Sequence, residues 1–404
     1  MLRVATAGSV DDGKSTLIGR LLHDAKALMA DEIGTAADLA RLTDGLRAER
    51  EQGITIDVAY RHFATPRRRF VLHDCPGHAQ YTRNMATGAS TADLALVLVD
   101  ARRGLTEQSR RHLAIATLLG VPGVTVLVNK MDLAGYAEER FDAVVREVLD
   151  WAARLGLHDV GFIPVSALHG DNVVERSPAM PWYGGESLLE HLEAVPAANG
   201  LADGPARLPI QYVIRAGETR WYAGRLAAGT LRVGDEVIVL PSGTHTRIAG
   251  FEDGRETAAA PRSVAVSLAD ELDVGRGDLL ARPTETPEPA RAIAATVFWL
   301  GDTPARAGGR YLLKHTTRLV PARVEAIEHR LDVTTLAHEP ADELELNGIG
   351  RVRLRLGAPV VADPYARVRS TGAFIVIDET TNDTVGAGMV VASRVDGEGR
   401  PAAP

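Results

Sequence analysis

The amino-acid sequence predicts an α/β domain, with a mostly parallel sheet and helices on both faces, followed by two small antiparallel β-barrels. In the first 195 residues, short apolar runs alternate with helical patterns, which is typical of a parallel sheet. From about Gly204 the chain carries many short β-branched runs separated by Gly, Pro or Asp, which is typical of barrels. A proline-rich segment near Pro283–Pro289 separates two such series.

Each element is expected from a local pattern. The strands of the first domain are expected at Arg3–Ala7, Phe70–His73, Leu94–Asp100, Val124–Asn129 and Gly161–Val165. Its helices are expected at Ser15–Leu28, Gln108–Leu119 and Glu138–Leu155. Residues 57–65 and 69–74, joined around Pro66, are expected to pair as antiparallel edge strands. Barrel strands are expected at Ile210–Arg215, Gly229–Leu231, Glu236–Leu240, Thr246–Phe251, Ala292–Leu300, Ala322–His329, Ile349–Leu356 and Phe374–Asp378.

These patterns predict the domain limits 1–200, 204–286 and 290–394, with a flexible tail at 395–404. The 404 residues exceed one average domain, and 45% apolar residues can supply several cores. A net charge of −8 argues against a surface devoted to nucleic acid. A single cysteine excludes internal disulfides and multi-cysteine zinc sites. Without a signal peptide or an apolar run of about 20 residues, we expect a cytoplasmic protein with no membrane contact.

The first chemical motif is a phosphate loop. Residues 8–15, GSVDDGKS, fit the template G-x-x-x-x-G-K-[ST]. Such a loop curls so that its N–H groups face a phosphate, and the following helix adds its dipole. Lys14 is expected to bridge two phosphates, and Ser15 to ligate Mg²⁺. The residues expected to bind nucleotide here are Gly8, Ser9, Val10, Asp11, Asp12, Gly13, Lys14, Ser15 and Thr16. The alternative, an incidental Gly-rich turn, is disfavoured by the strand before and the helix after it.

The second motif, DCPGH at 74–78, follows an apolar strand. Asp74 is expected to hold Mg²⁺ through a water. Gly77 lacks a side chain, so its N–H can approach a γ-phosphate. A histidine after a glycine is more often a surface residue, but the upstream phosphate loop favours His78 as the group that orients the attacking water. Cys75 and Pro76 complete the motif, and burial rather than redox chemistry is expected for the thiol.

The third motif is NKMD at 129–132, with SAL at 166–168 after the next strand. The Asp132 carboxylate can accept both N1–H and N2–H of guanine, which adenine does not offer. The Asn129 side chain can reach the ring's acceptor edge, and the Lys130 stem can lie over the base. Backbone N–H groups of 166–168 can contact O6. The expected guanine site contains Asn129, Lys130, Met131, Asp132, Ser166, Ala167 and Leu168, all beyond the carboxyl ends of parallel strands.

Residues 31–57 lie between the first two motifs. Leu39, Leu42 and Leu46 recur at helical spacing, and Thr55 follows in GITID. Thr55 can offer its hydroxyl to Mg²⁺ when such a loop is ordered by nucleotide. A simple helical hairpin is the alternative. The scattered His112, His169 and His191 indicate no metal site and receive no role.

Together these motifs resemble those of elongation factor Tu and its eukaryotic counterpart. Within that superfamily the chain most resembles the large GTPase subunit of bacterial sulfate adenylyltransferase. The segments that carry this resemblance are GSVDDGKSTLIGRLLHD at 8–24, DGLRAEREQGITIDVAYR at 44–61, YTRNMATGAS at 81–90, DARRGLTEQSRRH at 100–112, VSALHGDNVVERS at 165–177 and MPWYGG at 180–185. The fold class that this implies is a P-loop GTPase domain followed by two β-barrels.

The resemblance implies that GTP hydrolysis, with Mg²⁺, is coupled to the formation of adenosine 5′-phosphosulfate and pyrophosphate from ATP and sulfate. The adenylyl transfer itself would take place on a small catalytic subunit, the expected partner in a heteromer. The implied catalytic residues are Lys14, Thr55, Gly77 and His78, and the implied Mg²⁺ ligands are Ser15, Thr55 and, through water, Asp74. Cys75 departs from the subfamily's usual threonine without expected consequence. No second phosphate loop precedes Pro404, so no fused adenylylsulfate kinase domain is expected.

Two alternatives remain open at this point. The chain could be a translation factor that delivers aminoacyl-tRNA, or a regulatory GTPase without sulfate chemistry. Asp12 stands where elongation factors usually place histidine, and residues 174–183 carry VERS and MPWY. Both features favour the sulfate-activating subunit.

Overall fold

A computed structural model describes residues 1–24, 58–77, 82–196, 199–217 and 219–393. The chain divides into two compact units, residues 1–198 with 333–336, and residues 199–332 with 337–404. In the part of the chain that the structure describes, no helix is long and apolar enough to cross a membrane.

The first unit is built on a six-stranded sheet in the order β2-β3-β1-β4-β5-β6. β2 is antiparallel to β3, and the other neighbours are parallel. The strands are β1 (Leu2–Gly8), β2 (Ala59–Ala64), β3 (Arg69–Asp74), β4 (Leu94–Asp100), β5 (Gly123–Asn129) and β6 (Val160–Pro164). Among its described residues, the helices are α1 (Lys14–Asp24), α2 (Thr82–Ser90), α3 (Glu107–Leu118), α4 (Glu138–Leu155) and α5 (Leu188–Ala194).

Four elements, β3, β4, α4 and Glu236–Leu240, have the predicted limits, and the local signals of β4 and α4 are the most complete. Every residue of β4 is buried, as expected for a central parallel strand that is covered on both faces. Helix α4 buries Val144, Val148 and Trp151, which lie on one face at helical spacing. It ends at Gly156, whose φ of 68° is the left-handed conformation that closes many helices. The predicted antiparallel edge pair is also confirmed.

The second unit begins with a closed six-stranded barrel in the order β10-β11-β13-β8-β7-β14. β14 pairs with both β7 and β10, which closes the ring. The strands of this part of the chain are β7 (Arg207–Ala216), β8 (Thr219–Leu226), β9 (Thr230–Arg232), β10 (Glu236–Leu240), β11 (Thr244–Phe251), β12 (Thr257–Ala259), β13 (Arg262–Leu268) and β14 (Leu279–Ala281).

The remaining strands form a seven-stranded sheet in the order β17-β22-β23-β15-β21-β18-β19, in which β17 also pairs with β18. That additional pairing closes six of the strands into a second ring. The elements are β15 (Pro289–Trp299), β16 (Ala305–Arg306), β17 (Arg310–His315), β18 (Arg318–Leu331), β19 (His338–Glu339), β20 (Glu343–Leu344), β21 (Ile349–Val361), α6 (Arg369–Gly372), β22 (Ala373–Ile377) and β23 (Thr384–Ala392). The predicted fold class, a parallel α/β domain followed by two antiparallel barrels, is confirmed.

A buried ion pair lies within the second unit. Arg207, at the start of β7, is fully buried and donates from Nε and Nη2 to the Asp363 carboxylate, each at 2.9 Å. Nη1 donates to the carbonyl of Ala206, and Nη2 also reaches the carbonyl of Glu285. The Thr371 hydroxyl donates to Asp363 at 2.6 Å. Each charge is therefore well satisfied, as a buried pair requires.

Candidate nucleotide-binding site

Four parallel strands of the first unit end at one edge of the sheet, because parallel strands share a direction. Their last residues are Gly8 of β1, Asp74 of β3, Asp100 of β4 and Asn129 of β5. Ligands of open α/β sheets bind in the crevice beyond such carboxyl ends. The loops that carry the sequence motifs therefore converge on one location.

The loop after β1 adopts a conformation that demands small residues. Gly8 has a φ of 148°, and a Cβ there would lie 2.8 Å from the carbonyl oxygen of Leu98. Gly13 has a φ of 91°, and a Cβ there would lie 2.5 Å from Nδ2 of Asn129. Only glycine fits these positions without moving a neighbour. The exposed Asp11 adopts a φ of 70° between them, so the loop curls tightly.

Lys14 is held at the centre of this loop. Its ammonium donates to the carbonyl oxygens of Gly8 at 2.8 Å and Ser9 at 2.9 Å. Burial lowers the pKa of Lys14, and the carboxylates of Asp74 and Asp12 oppose that shift. A Cβ on Gly77 would lie 2.5 Å from the Lys14 Nζ, so the DCPGH segment approaches the ammonium as closely as its missing side chain permits. The resulting cradle of backbone and ammonium suits an anionic group.

Asp12 belongs to the same loop, and its carboxyl group is buried. It is 1% exposed, and its Oδ2 accepts the N–H of Ser9 at 2.7 Å. Its Oδ1 is buried without a hydrogen-bond partner. Burial raises the pKa of Asp12 to about 6, although the hydrogen bond from Ser9 and the charge of Lys14 lower it. The group is therefore half protonated near pH 6.

Asn129 joins the phosphate loop to the predicted base-binding segment. The side chain is 1% exposed. Its Nδ2 donates to the carbonyl of Asp12 at 2.7 Å, and its Oδ1 accepts the N–H of Ala167 at 2.9 Å. One amide thus connects residues from two loops that follow different strands, and it fixes the separation between them.

Lys130 is held by a charge network that the sequence motifs did not reveal. Its φ of 63° is unusual for a residue with a side chain. Its Nζ lies 3.1 Å from Oδ2 of Asp100, and Arg102 binds the same carboxylate through its backbone N–H, Nε and Nη2. Burial raises the pKa of Asp100, but the hydrogen bonds from Arg102 and Lys130 outweigh it and hold the pKa at about 2. A permanently charged Asp100 therefore fixes the Lys130 stem.

Asp132 is oriented by the neighbouring SAL segment. The Ser166 hydroxyl donates to Oδ1 of Asp132 at 2.7 Å, and Nε2 of His169 lies 3.8 Å from Oδ2. The N–H of Met131 donates to the carbonyl of Val165 at 3.2 Å. These contacts hold the NKMD and SAL segments side by side, with one carboxylate oxygen engaged by serine.

The segment that carries VERS and MPWY braces these two loops. Trp182 donates its Nε1–H to the carbonyl of Tyr136 at 2.9 Å. The Tyr136 hydroxyl donates to Asp171 at 2.8 Å, and the Ser177 hydroxyl donates to the same carboxylate at 2.6 Å. Tyr136 follows the NKMD segment and Asp171 follows SAL, so this network ties the two segments together from outside.

Comparison with known proteins adds the family. Residues 1–198 match the model of the elongation factor Tu GTP binding domain, and residues 292–391 match that of the GTP-eEF1A C-terminal domain-like family. The chain is 48% identical over 408 residues to sulfate adenylyltransferase subunit 1 of Aeromonas salmonicida, a match that covers 97% of this chain and 87% of the relative. The chain belongs to the family of sulfate adenylyltransferase subunit 1. The predicted membership of the translation-factor GTPase superfamily is confirmed.

Other relatives match over the same share of this chain. The protein of Chromobacterium violaceum with the same name is 48% identical over 97% of this chain and 86% of its own length. The bifunctional enzyme CysN/CysC of Mycobacterium tuberculosis is 53% identical over 97% of this chain, which spans 67% of that relative. A crystal structure of sup35 with GDP aligns at 25% identity and a TM-score of 0.46, covering 97% of this chain and 94% of the other.

The structure places most of the predicted site residues of this subunit 1 family member at the described edge. Ser15 and Thr16 lie half-buried in the first turn of α1, and Val10 lies half-buried in the phosphate loop. The buried Asp74 lies 3.4 Å from the Thr6 hydroxyl that donates to it. Pro76 is buried beside it, and the exposed Leu168 ends the SAL segment. Thr55, His78 and residues 31–57 lie outside the described residues.

Cys75 is buried, as predicted, and burial raises the pKa of its thiol. A Cβ added to Gly88 would lie 2.5 Å from its sulfur, so helix α2 covers it closely. Across the described ranges, no cluster of three or more His, Cys, Asp or Glu side chains could hold a metal ion.

His112, like Asp100, is a residue near the site that sequence reasoning missed. Its Nδ1 accepts the N–H of Gly8 at 3.1 Å, across 104 positions of the chain. The sequence did contain a signal for this contact. Thr106, Ser109 and His112 are polar residues three apart at a helix whose other buried positions are apolar. Only the strand order decides what that polar face contacts.

Proposed function

We propose that this chain is the GTP-hydrolysing subunit of a sulfate adenylyltransferase. GTP hydrolysis on this chain would be coupled to the formation of adenosine 5′-phosphosulfate and pyrophosphate from ATP and sulfate on a small catalytic subunit. The observation that carries the GTP site is the bridge made by Asn129 between the phosphate loop and the SAL segment. Identity of 48% to subunit 1 proteins across 97% of the chain supports the sulfate chemistry over delivery of aminoacyl-tRNA.

Guanine recognition is assigned to the two braced segments. Asp132 accepts from N1–H and N2–H of the base, Asn129 reaches the acceptor edge, and the Lys130 stem covers one face. The N–H groups of Ser166 and Ala167 already donate to the carbonyl of Asp171 and to Oδ1 of Asn129. We therefore assign the O6 contact to the N–H of Leu168.

Phosphate binding and hydrolysis are assigned to the loop after β1 and the DCPGH segment. Lys14 and the N–H groups of residues 8–16 bind the phosphates, and Gly77 lets its segment approach them. Ser15, Thr55 and, through water, Asp74 are the assigned Mg²⁺ ligands, and their oxygen donors suit that hard cation. Mg²⁺, when bound, neutralises charge on the phosphate oxygens. His78 is assigned to orient the attacking water.

The domain limits 1–200, 204–286 and 290–394 form part of the same proposal. They assign the nucleotide site to the first domain alone. The two barrels would then be free of nucleotide contacts and available to a partner subunit.

A variant of this chain with altered nucleotide specificity tests most directly whether GTP hydrolysis is coupled to adenylyl transfer. The purified chain is combined with its small subunit, and sulfate-dependent release of pyrophosphate from ATP is measured with and without GTP. The wild-type rate should rise with GTP. Asp132→Asn should shift the requirement from GTP to xanthosine triphosphate, because the amide keeps an acceptor for N1–H and gains a donor for the 2-oxo group that xanthine carries in place of the guanine amino group.

Asp142→Asn is the matched control, because it makes the same chemical change at an exposed position of α4. It should keep the requirement for GTP. Equal wild-type rates with and without GTP would refute the coupling. An Asp132→Asn protein that still prefers GTP would refute the base assignment and leave the coupling standing.

A further inference from the structure

One face of helix α3 carries three polar side chains at a spacing of three residues. Thr106 is the N-cap of the helix, and Ser109 and His112 follow it. Ser109 is 0% and His112 is 4% exposed. Residues three apart lie on the same side of a helix, and buried polar groups need partners. We call Thr106, Ser109 and His112 the α3 clamp.

The partners of the α3 clamp are the first two residues of the phosphate loop. Nδ1 of His112 accepts the N–H of Gly8 at 3.1 Å. The hydroxyl oxygens of Ser9 and Thr106 lie 2.6 Å apart, and those of Thr106 and Ser109 lie 2.9 Å apart. The N–H of Ser109 donates to Thr106 at 3.2 Å, so the N-cap that starts the helix also contacts the loop.

The clamp completes a set of restraints on Gly8 and Ser9. Their two carbonyl oxygens accept from Lys14, and the N–H of Ser9 donates to Asp12. With His112 on the N–H of Gly8, all four backbone polar groups of these residues are engaged by side chains. Side chains of the protein therefore restrain every backbone polar group of these two loop residues.

We propose that the α3 clamp holds the phosphate loop in its binding conformation and thereby slows nucleotide release, with His112 as the principal positioning residue. This inference rests on the proposed GTP site. A preorganised loop binds more tightly because its ordering entropy is not lost on binding. Fixing the backbone of one residue costs about 1–2 kcal/mol, which corresponds to a change of roughly 5- to 30-fold in affinity.

The electrostatics of His112 suit a permanent acceptor. Burial lowers its pKa to about 3, with further lowering by the charges of Lys14 and Arg111. The imidazole therefore stays neutral through the range of ordinary assays, and Nδ1 keeps its lone pair for Gly8. The clamp's contribution should accordingly not vary between pH 6 and 8.

The test compares three variants of the full chain loaded with a fluorescent GDP analogue, whose release is followed after mixing with excess GDP. His112→Leu removes the acceptor and should release the analogue roughly 5- to 30-fold faster than the wild type. His112→Asn places Oδ1 where Nδ1 lies and should restore most of the slow release. His191→Leu is the matched control, because His191 donates or accepts one hydrogen bond with Thr125 at 2.9 Å on a different part of the domain.

Hydrolysis of already bound GTP in a single turnover provides a second readout. In His112→Leu its rate should change by a smaller factor than nucleotide release does, because His112 contacts the loop backbone and touches no reacting atom. Release at the wild-type rate in His112→Leu would overturn the proposal, as would equal effects of Leu and Asn. A wild type that binds no guanine nucleotide would instead refute the proposed function.

A double-mutant cycle with smaller substitutions covers the case in which His112→Leu does not fold. Ser9→Ala and Thr106→Val each remove one hydroxyl from the 2.6 Å contact. If the contact slows release, the double variant should release nucleotide no faster than the faster single variant. Independent, multiplicative effects would show that the two hydroxyls do not act together, and would overturn this part of the clamp.

Discussion

Asn129 offers the sharpest single perturbation of the site. Its side chain is 1% exposed and makes two hydrogen bonds, at 2.7 Å to the carbonyl of Asp12 and at 2.9 Å from the N–H of Ala167. Asn129→Ala removes both. It leaves one buried carbonyl and one buried N–H without partners, on the two loops that the proposed function assigns to phosphate and base.

The magnitude follows from those two groups. Leaving a buried polar group unpaired costs about 1–3 kcal/mol, so the two together cost roughly 2–6 kcal/mol. In the variant without nucleotide the two loops can shift and expose these groups to water, whereas bound nucleotide requires both loops in place, so most of this cost should appear in nucleotide affinity. Every 1.4 kcal/mol is a factor of about ten, so the affinity for GDP should fall by roughly 10-fold or more.

Equilibrium titration with a fluorescent GDP analogue measures the effect, with thermal unfolding as a check on the fold. Thr125→Val is the control on the same strand, because it removes one side-chain hydrogen bond to His191 away from the site. It should leave the dissociation constant for GDP unchanged. A change of less than about threefold in a folded Asn129→Ala protein would refute the inferred coupling of the two loops.

Three further predictions concern the buried ion pair, the pH dependence of stability, and the hydrogen bond between Trp182 and Tyr136. Arg207→Met should lower the free energy of unfolding by about 3–5 kcal/mol in urea titrations, because it strands a buried carboxylate. Adding Asp363→Leu should recover much of that loss, and no recovery would contradict the ion-pair explanation. The pKa of Asp12, raised to about 6, means that the folded chain binds this proton more tightly than the unfolded chain. Its contribution to stability is therefore present below about pH 4 and is lost as the pH rises through about 6. Asp12→Asn should remove that dependence and raise the midpoint of thermal unfolding at pH 8; a midpoint no higher than that of the wild type would count against it. Trp182→Phe keeps an aromatic ring but loses the indole N–H that donates to the carbonyl of Tyr136, and should weaken GTP binding about 3- to 10-fold. Unchanged affinity would show that GTP binding does not depend on the hydrogen bond between Trp182 and Tyr136.

Much of the fold was predictable because its signals are local. The apolar run of β4 and the helical pattern of α4 gave their own limits. The change to short β-branched runs after Gly204 indicated two barrels. The helix predicted at Ser15–Leu28 is described only to Asp24. Which strands close each barrel was not predictable, because strand partners lie far apart in the chain.

The motifs of the site were likewise readable, because each is a short stretch in which residue types and spacing carry the chemistry. The residues that hold those motifs in place were not. Asp100 fixes Lys130, and Trp182 donates a hydrogen bond to Tyr136, which follows the NKMD motif. Neither Asp100 nor Trp182 belongs to a phosphate or base motif. His112 was assigned no role, and its contact with Gly8 spans 104 positions.

By itself, then, the sequence determined the alternation of strands and helices in the first domain, the change to short strands after it, the nucleotide motifs and the resemblance to subunit 1 proteins, whereas strands such as β8, β13 and β23 were not predicted. All of these depend on neighbours within a few residues, where backbone geometry and side-chain periodicity act directly. The tertiary structure alone decided that α3 faces the phosphate loop and that Arg207 meets Asp363 across 156 positions. Such contacts follow from the order in which strands pair, and that order is set by burial of the whole core rather than by any local pattern.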